Sequence, residues 1–171
     1  MNQSMNQRDM FFKWLYYAGA VLLLGLVQSL VLNRISVWAV PPFLPPVIAG
    51  IMAMLEGPAE GAVFGGIFGL LCDLTMPGVI PCFYTLAFLA AALPAAMIAK
   101  RLLSQGFLCA VLCAALALVI TDLLHTVLLT FRQGVELSAA LSLTGRELAV
   151  TVVLSPLVYL LLRSVHNRIL R

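Results

Sequence analysis

Three ionisable side chains fall within or at the edge of long apolar stretches of the sequence: Asp73, Asp122 and His125. A charged carboxylate in the middle of a bilayer costs about 2.5–3.5 kcal/mol, so such a group usually faces a bundle interior or a cavity. Asp122 and His125 are three residues apart, which places them on one face of a helix and within reach of each other. They are candidates for a substrate site, a proton site or a polar contact with a partner helix.

Each of these groups also has a structural interpretation. Asp73 comes shortly before a predicted turn at Gly78 and could cap or hold that turn. Asp122 could hydrogen-bond His125, or a threonine one or four residues away. One acid–base pair is not a catalytic set, and no nucleophile lies at a fixed spacing from it. The sequence therefore predicts a protein that is not an enzyme, with no cofactor and no metal.

The composition sets the class of protein. The chain has 171 residues, of which 63% are hydrophobic and only 10% are charged. Soluble domains carry about 25% charged residues. So few charges exclude a water-soluble enzyme, a nucleic-acid-binding domain and a disordered tail. We expect one transmembrane domain over residues 1–171, embedded in a lipid bilayer.

Proline, glycine and charged residues divide the apolar sequence into segments. Two proline pairs, a turn that begins at Glu56 and a basic pair at residues 100–101 each interrupt it. The sequence thus predicts an all-α, polytopic integral membrane bundle of about six transmembrane helices. The expected spans are 14–32, 45–56, 61–74, 81–99, 106–131 and 148–162. The more polar residues 132–147 suggest a separate amphipathic segment at the membrane interface.

The positions of the basic residues predict the orientation. With six spans and both ends in the cytoplasm, seven basic residues lie inside and three lie outside. Those outside are Arg34, Arg132 and Arg146. Omitting the short second span would reverse this preference, to four inside and six outside. The charge distribution therefore favours six spans.

Glycines form a ridge on the predicted third span. Gly61, Gly65 and Gly69 recur every four residues and share one helix face. Such small-residue faces let helix backbones approach closely in lipid. The ridge could bind a partner's helix or pack within its own bundle. Elsewhere Gly78 is expected to form a turn, and Pro156 to shape the last helix.

Residues 60–78, EGAVFGGIFGLLCDLTMPG, resemble the rod shape-determining MreD family, in which a glycine-bearing helix ends in a Gly-Leu-Leu-x-Asp-like run before a glycine turn. Asp122 within an apolar helix is similar to the family pattern. So is Pro156, which precedes an apolar run with a basic end at Arg163. The resemblance covers roughly residues 14–170.

This resemblance implies a non-enzymatic subunit of the bacterial cell-elongation machinery, multi-pass in the plasma membrane. Its implied partners are a single-span MreC-like protein, indirectly an actin-like MreB filament, and the peptidoglycan synthases. We hypothesise that the bundle presents a lipid-level surface to the partner's transmembrane helix, with the ridge around Gly65 as the interface.

Two alternatives stay open. The substrate-binding components of energy-coupling-factor vitamin transporters are also six-helix proteins, and they resemble the pattern of a glycine-rich helix followed by an aspartate. Asp73 would then line a vitamin pocket, and Ala87, Ala91 and Ala95 would form a docking face for the coupling subunit. A structural membrane protein without a defined partner is the third interpretation.

Overall fold

The structure is a computed structural model of the chain, and it describes residues 7–34, 40–76, 80–101, 106–134 and 136–169. Six α-helices make up most of this part and confirm the predicted all-helical fold. A short 3-10 turn, Leu32–Arg34, follows the first helix. The helices are α1 Gln7–Leu30, α2 Pro45–Glu56, α3 Pro58–Thr75, α4 Phe83–Arg101, α5 Phe107–Gln133 and α6 Leu137–Ile169.

Four of the helices contain a segment that is long and apolar enough to cross a membrane. These segments are Phe12–Leu30, Phe83–Lys100, Phe107–Arg132 and Ala140–Asn167. Helix α2 has only 12 residues, so it is about 18 Å long, against a hydrocarbon core of about 30 Å. Helix α3 has 18 residues, with acidic residues near both ends. The fold is thus that of a helical membrane protein, in which four of the six predicted spans meet these criteria.

Helix α2 forms the centre of the bundle. Every residue from Pro45 to Leu55 is buried, and the helix contacts α3, α4, α5 and α6. Short apolar helices of this length are typical of buried core segments or re-entrant segments. At the position of the second predicted span, the structure thus has a short core helix that four other helices contact.

An extended segment, residues 41–44, leads into α2 and is held by two other helices. The Gln28 side chain of α1 donates a 2.8 Å hydrogen bond to the Pro42 carbonyl and accepts one of 3.1 Å from the Leu44 amide. The Phe43 amide donates to Thr151 Oγ1 of α6 at 3.1 Å. Non-helical backbone at membrane depth needs such partners, because lipid offers none.

Local residues explain the tight connection between α2 and α3. Gly57 has φ of +95°, a conformation that glycine adopts without strain. Pro58 starts α3, where its missing N–H is not needed, and Glu60 in the first turn complements the helix dipole. The two helices therefore run antiparallel as neighbours.

The last helix corrects one expectation. A separate interfacial segment was predicted before a span at 148–162, but α6 is continuous from Leu137 to Ile169 and contains Pro156 within it. Its polar first turns stay helical because they pair with the end of α5, where the hydroxyls of Thr126 and Thr144 lie 3.3 Å apart. The α5–α6 hairpin is therefore longer than the sequence predicted.

The bundle has two ends that differ in chemistry. At one end, which we call the Lys13 end, the starts of α1 and α3 meet the ends of α2 and α6. At the other, the Asp122 end, the end of α3 meets the start of α4 beside the middle of α5. Each end carries its own group of polar side chains.

Candidate functional site

The glycine ridge is filled by the protein's own helices. A Cβ atom added at Gly61 would lie 2.5 Å from Ala53 Cα of α2, and one at Gly69 would lie 2.6 Å from Thr85 Cα of α4. At Gly65 it would lie 3.3 Å from a backbone oxygen of α4. The ridge therefore lets α3 pack against α2 and α4, and a partner's helix would have to bind another surface.

Asp73 joins α3 to α4. Its carboxylate accepts hydrogen bonds of 2.9 Å from the Tyr84 amide and 2.9 Å from the Thr85 amide. The Thr85 hydroxyl adds a third bond of 2.7 Å. A carboxylate in this position caps the start of α4 and complements its dipole. Gly78, which was expected to shape the same connection, lies outside the described residues.

We expect Asp73→Ala to lower the free energy of unfolding by about 0.5–2 kcal/mol, the usual range for loss of a helix cap. Asp73→Asn keeps one acceptor oxygen and should lose less. Equilibrium unfolding of both purified variants in detergent, followed by circular dichroism, measures the difference. Equal stability of Asp73→Ala and wild type would contradict the capping role.

Asp122 does not make the hydrogen bonds that the sequence allowed. Thr121 donates instead to the Ala117 carbonyl at 2.9 Å, and Thr126 contacts another threonine. Asp122 is only 6% exposed, and its Oδ2 atom has no hydrogen-bond partner among the described residues. The ring of His125 packs against Phe83, with centroids 5.6 Å apart. The Asp122 carboxylate is thus buried and incompletely satisfied.

A cavity of about 100 Å³ lies beside this carboxylate. Four parts of the chain enclose it: the segment before α2, the start of α4, the middle of α5 and the first third of α6. Its lining residues are Phe43, Phe83, Tyr84, Thr121, Asp122, His125 and Glu147. Sequence reasoning missed Glu147, because it was assigned to the interfacial segment outside the bundle. Within the described parts of the chain, no group of His, Cys, Asp and Glu side chains could hold a metal ion.

A second polar group, which sequence reasoning also missed, lies at the Lys13 end. Lys13 is 7% exposed and forms ion pairs with Glu56 and, at 2.8 Å, with Glu60. The Tyr17 hydroxyl donates to Glu56, and His166 Nδ1 lies 3.0 Å from Glu56 Oε1. We call these five residues the Lys13 cluster.

The Lys13 cluster ties four helices together. Its members come from α1, α2, α3 and α6, and the contact between Tyr17 and His166 joins residues 149 positions apart in sequence. Opposite charges compensate each other, and the Glu56 side chain is only 5% exposed. The arrangement is that of a structural ion-pair network. The sequence did contain a signal for this cluster: residues of opposite charge lie near helix ends that an antiparallel bundle brings together.

An apolar groove of about 440 Å³ runs along the bundle surface between α1 and the helices α2 and α3. Leu22 and Gly25 form one wall, Phe68 and Leu71 form the other, and Ile48 lies at its base. A Cβ atom added at Gly25 would meet nothing within 4 Å. Gly25 therefore differs from the ridge glycines, because the space beside it is open.

Comparison of the chain with family models, curated proteins and solved structures gives no match. The vitamin-transporter alternative receives no support from the geometry either. Ala87, Ala91 and Ala95, its expected docking face, are buried inside the bundle. Both carboxylate oxygens of Asp73 are engaged by the start of α4, so Asp73 does not offer a free carboxylate to a vitamin pocket.

Proposed function

We propose that this protein is a non-enzymatic, multi-pass subunit of the cell-elongation machinery in the bacterial plasma membrane, similar to the MreD family. It binds the transmembrane helix of an MreC-like single-span protein. Through that protein it acts with an actin-like MreB filament and with the peptidoglycan synthases. The resemblance of residues 60–78 supports this role, as does a chain built almost entirely of membrane-length and core helices.

The proposed topology has six spans with both chain ends in the cytoplasm. The Lys13 end is then cytoplasmic. On that side, Lys100 lies in the last turn of α4 and Arg163 lies about two turns before the end of α6. On the opposite side, Arg34 ends the 3-10 turn that follows α1, and Arg132 lies in the last turn of α5. Segment 41–44 extends α2 toward that side, so a short helix and its lead-in together form the second crossing. This arrangement agrees with the positive-inside rule.

The observation that carries the proposed interaction is the groove with Gly25 on its wall. In lipid, helices associate by close packing, and small residues permit the closest approach. The three ridge glycines already serve the bundle's own packing, whereas the space at Gly25 is unfilled. A transmembrane helix of the partner, lying along α1 and α3, fits this surface.

Gly25→Leu is expected to abolish co-purification of the partner, because the added side chain occupies the groove. Gly19→Leu is the matched control, since Gly19 is also on α1 with nothing within 4 Å of an added Cβ, yet it does not line the groove. The measurement is a tagged pull-down from native membranes in mild detergent, with the recovered proteins identified by mass spectrometry.

Wild type and Gly19→Leu should recover a single-span protein with an extracytoplasmic domain, together with cell-wall synthases. Recovery of that protein by Gly25→Leu at the wild-type level would contradict the groove as the interface. Recovery of ATPase subunits and a coupling membrane protein would instead overturn the proposed function and favour a vitamin transporter.

A further inference from the structure

The cavity beside Asp122 has no part in the proposed partner interaction and has the features of a ligand site. It lies beside Phe83, the first residue of α4, and below the last turns of α5. In the proposed topology it lies in the extracytoplasmic half of the bundle, where α3 ends and α4 begins. A lipid headgroup or a small amine would therefore enter it from that side.

The Asp122 carboxylate lacks a partner that it should have. Its Oδ2 atom is buried and makes no hydrogen bond with any described residue. Buried polar atoms in proteins are nearly always hydrogen-bonded, because an unpaired one keeps the full cost of leaving water. Since Asp122 also lines the cavity, a donor placed in the cavity would satisfy that oxygen.

The lining of the cavity selects a cation. Asp122 and Glu147 contribute two carboxylates, and none of the described lining residues is a lysine or an arginine. Aromatic rings supply much of the remaining wall, with Tyr84 5.9 Å from Phe43 and 5.2 Å from Phe83 between ring centroids. Aromatic faces attract cations, and carboxylates form strong, charge-assisted hydrogen bonds with N–H donors.

Size and geometry narrow the class of cation. The carboxylates belong to no group of described residues that could hold a metal ion. The volume of about 100 Å³ is several times the roughly 10–15 Å³ that one water needs on the same measure. A small organic ammonium group with several N–H donors fits these limits, whereas a bare metal ion does not.

We propose that this cavity binds a primary ammonium group, which donates hydrogen bonds to Asp122 and Glu147 beside the ring of Tyr84. Two sources offer this chemistry at the membrane surface. One is the headgroup of an aminolipid such as phosphatidylethanolamine, and the other is a free small amine such as ethanolamine.

The test uses the purified full chain and two probes. Native mass spectrometry compares retention of phosphatidylethanolamine, phosphatidylcholine and phosphatidylglycerol, and calorimetric titration measures the affinity for free ethanolamine. Wild type should retain phosphatidylethanolamine preferentially, since choline offers no N–H donor. Asp122→Asn should weaken binding by about tenfold or more, because a hydrogen bond to a charged group contributes at least that free energy.

Glu147→Gln is the second variant, and Glu136→Gln is the control, since Glu136 is exposed near the start of α6 and does not line the cavity. Circular dichroism confirms that each variant is folded. Binding of both probes, lost in the two cavity variants alone, supports the site; binding of the lipid alone also supports it and identifies the headgroup as the source. Equal retention of all three lipids, or equal binding by Asp122→Asn and wild type, would overturn the proposal.

Discussion

Glu56→Ala is expected to lower the free energy of unfolding by about 3–5 kcal/mol, the range measured when one partner of a buried ion pair is removed. Glu60→Ala should change it by less than about 1 kcal/mol, as for exposed ion pairs. Both glutamates contact Lys13, but the Glu56 side chain is 5% exposed and that of Glu60 is 48% exposed. Comparing the two variants therefore tests the effect of burial, because the residue removed is a glutamate in both.

The difference follows from what each glutamate holds. Glu56 accepts a hydrogen bond from the Tyr17 hydroxyl, and it contacts Lys13 and His166. These contacts join α1 and α6 to the end of α2. Loss of Glu56 leaves a buried lysine and a buried hydroxyl with fewer partners. Glu60 pairs with Lys13 at a position that water reaches.

Equilibrium unfolding in mixed micelles with increasing dodecyl sulfate measures both variants. Far-UV circular dichroism reports loss of helix. With Trp38 replaced by phenylalanine in every variant, fluorescence of Trp14, whose ring lies 6.4 Å from that of Tyr17, reports the separation of the cluster. If the two variants were equally destabilised, burial of Glu56 would not explain how the Lys13 cluster stabilises the bundle.

Gly69→Ala is expected to lower the free energy of unfolding by about 3 kcal/mol, at the upper end of the range for overpacking. The added methyl group would meet Thr85 Cα at 2.6 Å and the Tyr84 carbonyl oxygen at 2.7 Å. These are backbone atoms of α4, so they cannot rotate away. The two helices must separate, which also pulls Asp73 from the start of α4.

Gly66→Ala is the matched control, and we expect it to change the free energy of unfolding in the opposite direction. The nearest atom to its added methyl group is Leu89 Cδ2 at 3.7 Å, an ordinary van der Waals contact. Alanine is favoured over glycine within a helix by about 0.8–1.0 kcal/mol. Gly66→Ala should therefore keep or raise stability in the same unfolding assay. A stabilising Gly69→Ala, or a strongly destabilising Gly66→Ala, would contradict the observed packing.

The positions of most helices could be predicted because their ends depend on local chemistry. The start of α2 at Pro45 and its end at Glu56 were both predicted, since a proline pair and a Gly57 turn limit the helix directly. The start of α6 was not. The polar residues after Leu137 include Gly145 and indicated a separate segment, whereas in the bundle they continue as one helix that packs against α5.

The sequence identified the candidate carboxylates but did not reveal the role of each one. Carboxylates are rare in apolar segments, so Asp73 and Asp122 were evident at once. The sequence could not distinguish them, yet Asp73 is fully engaged as a helix cap and Asp122 retains an unpaired oxygen. The partners of Asp73 come from α4, and Glu147 lines the cavity beside Asp122 on α6, a helix whose start was misplaced.

Composition and local breakers were thus sufficient to establish a helical membrane protein and to place most of its helices. Helix contacts, the occupied face of Gly61 and Gly69, the open space at Gly25 and the Lys13 cluster emerged from the folded bundle. In a soluble protein, polar and apolar faces reveal which side of a helix is buried. Here lipid-facing and core-facing sides are both apolar, so that signal is lost, and only packing between distant segments distinguishes them.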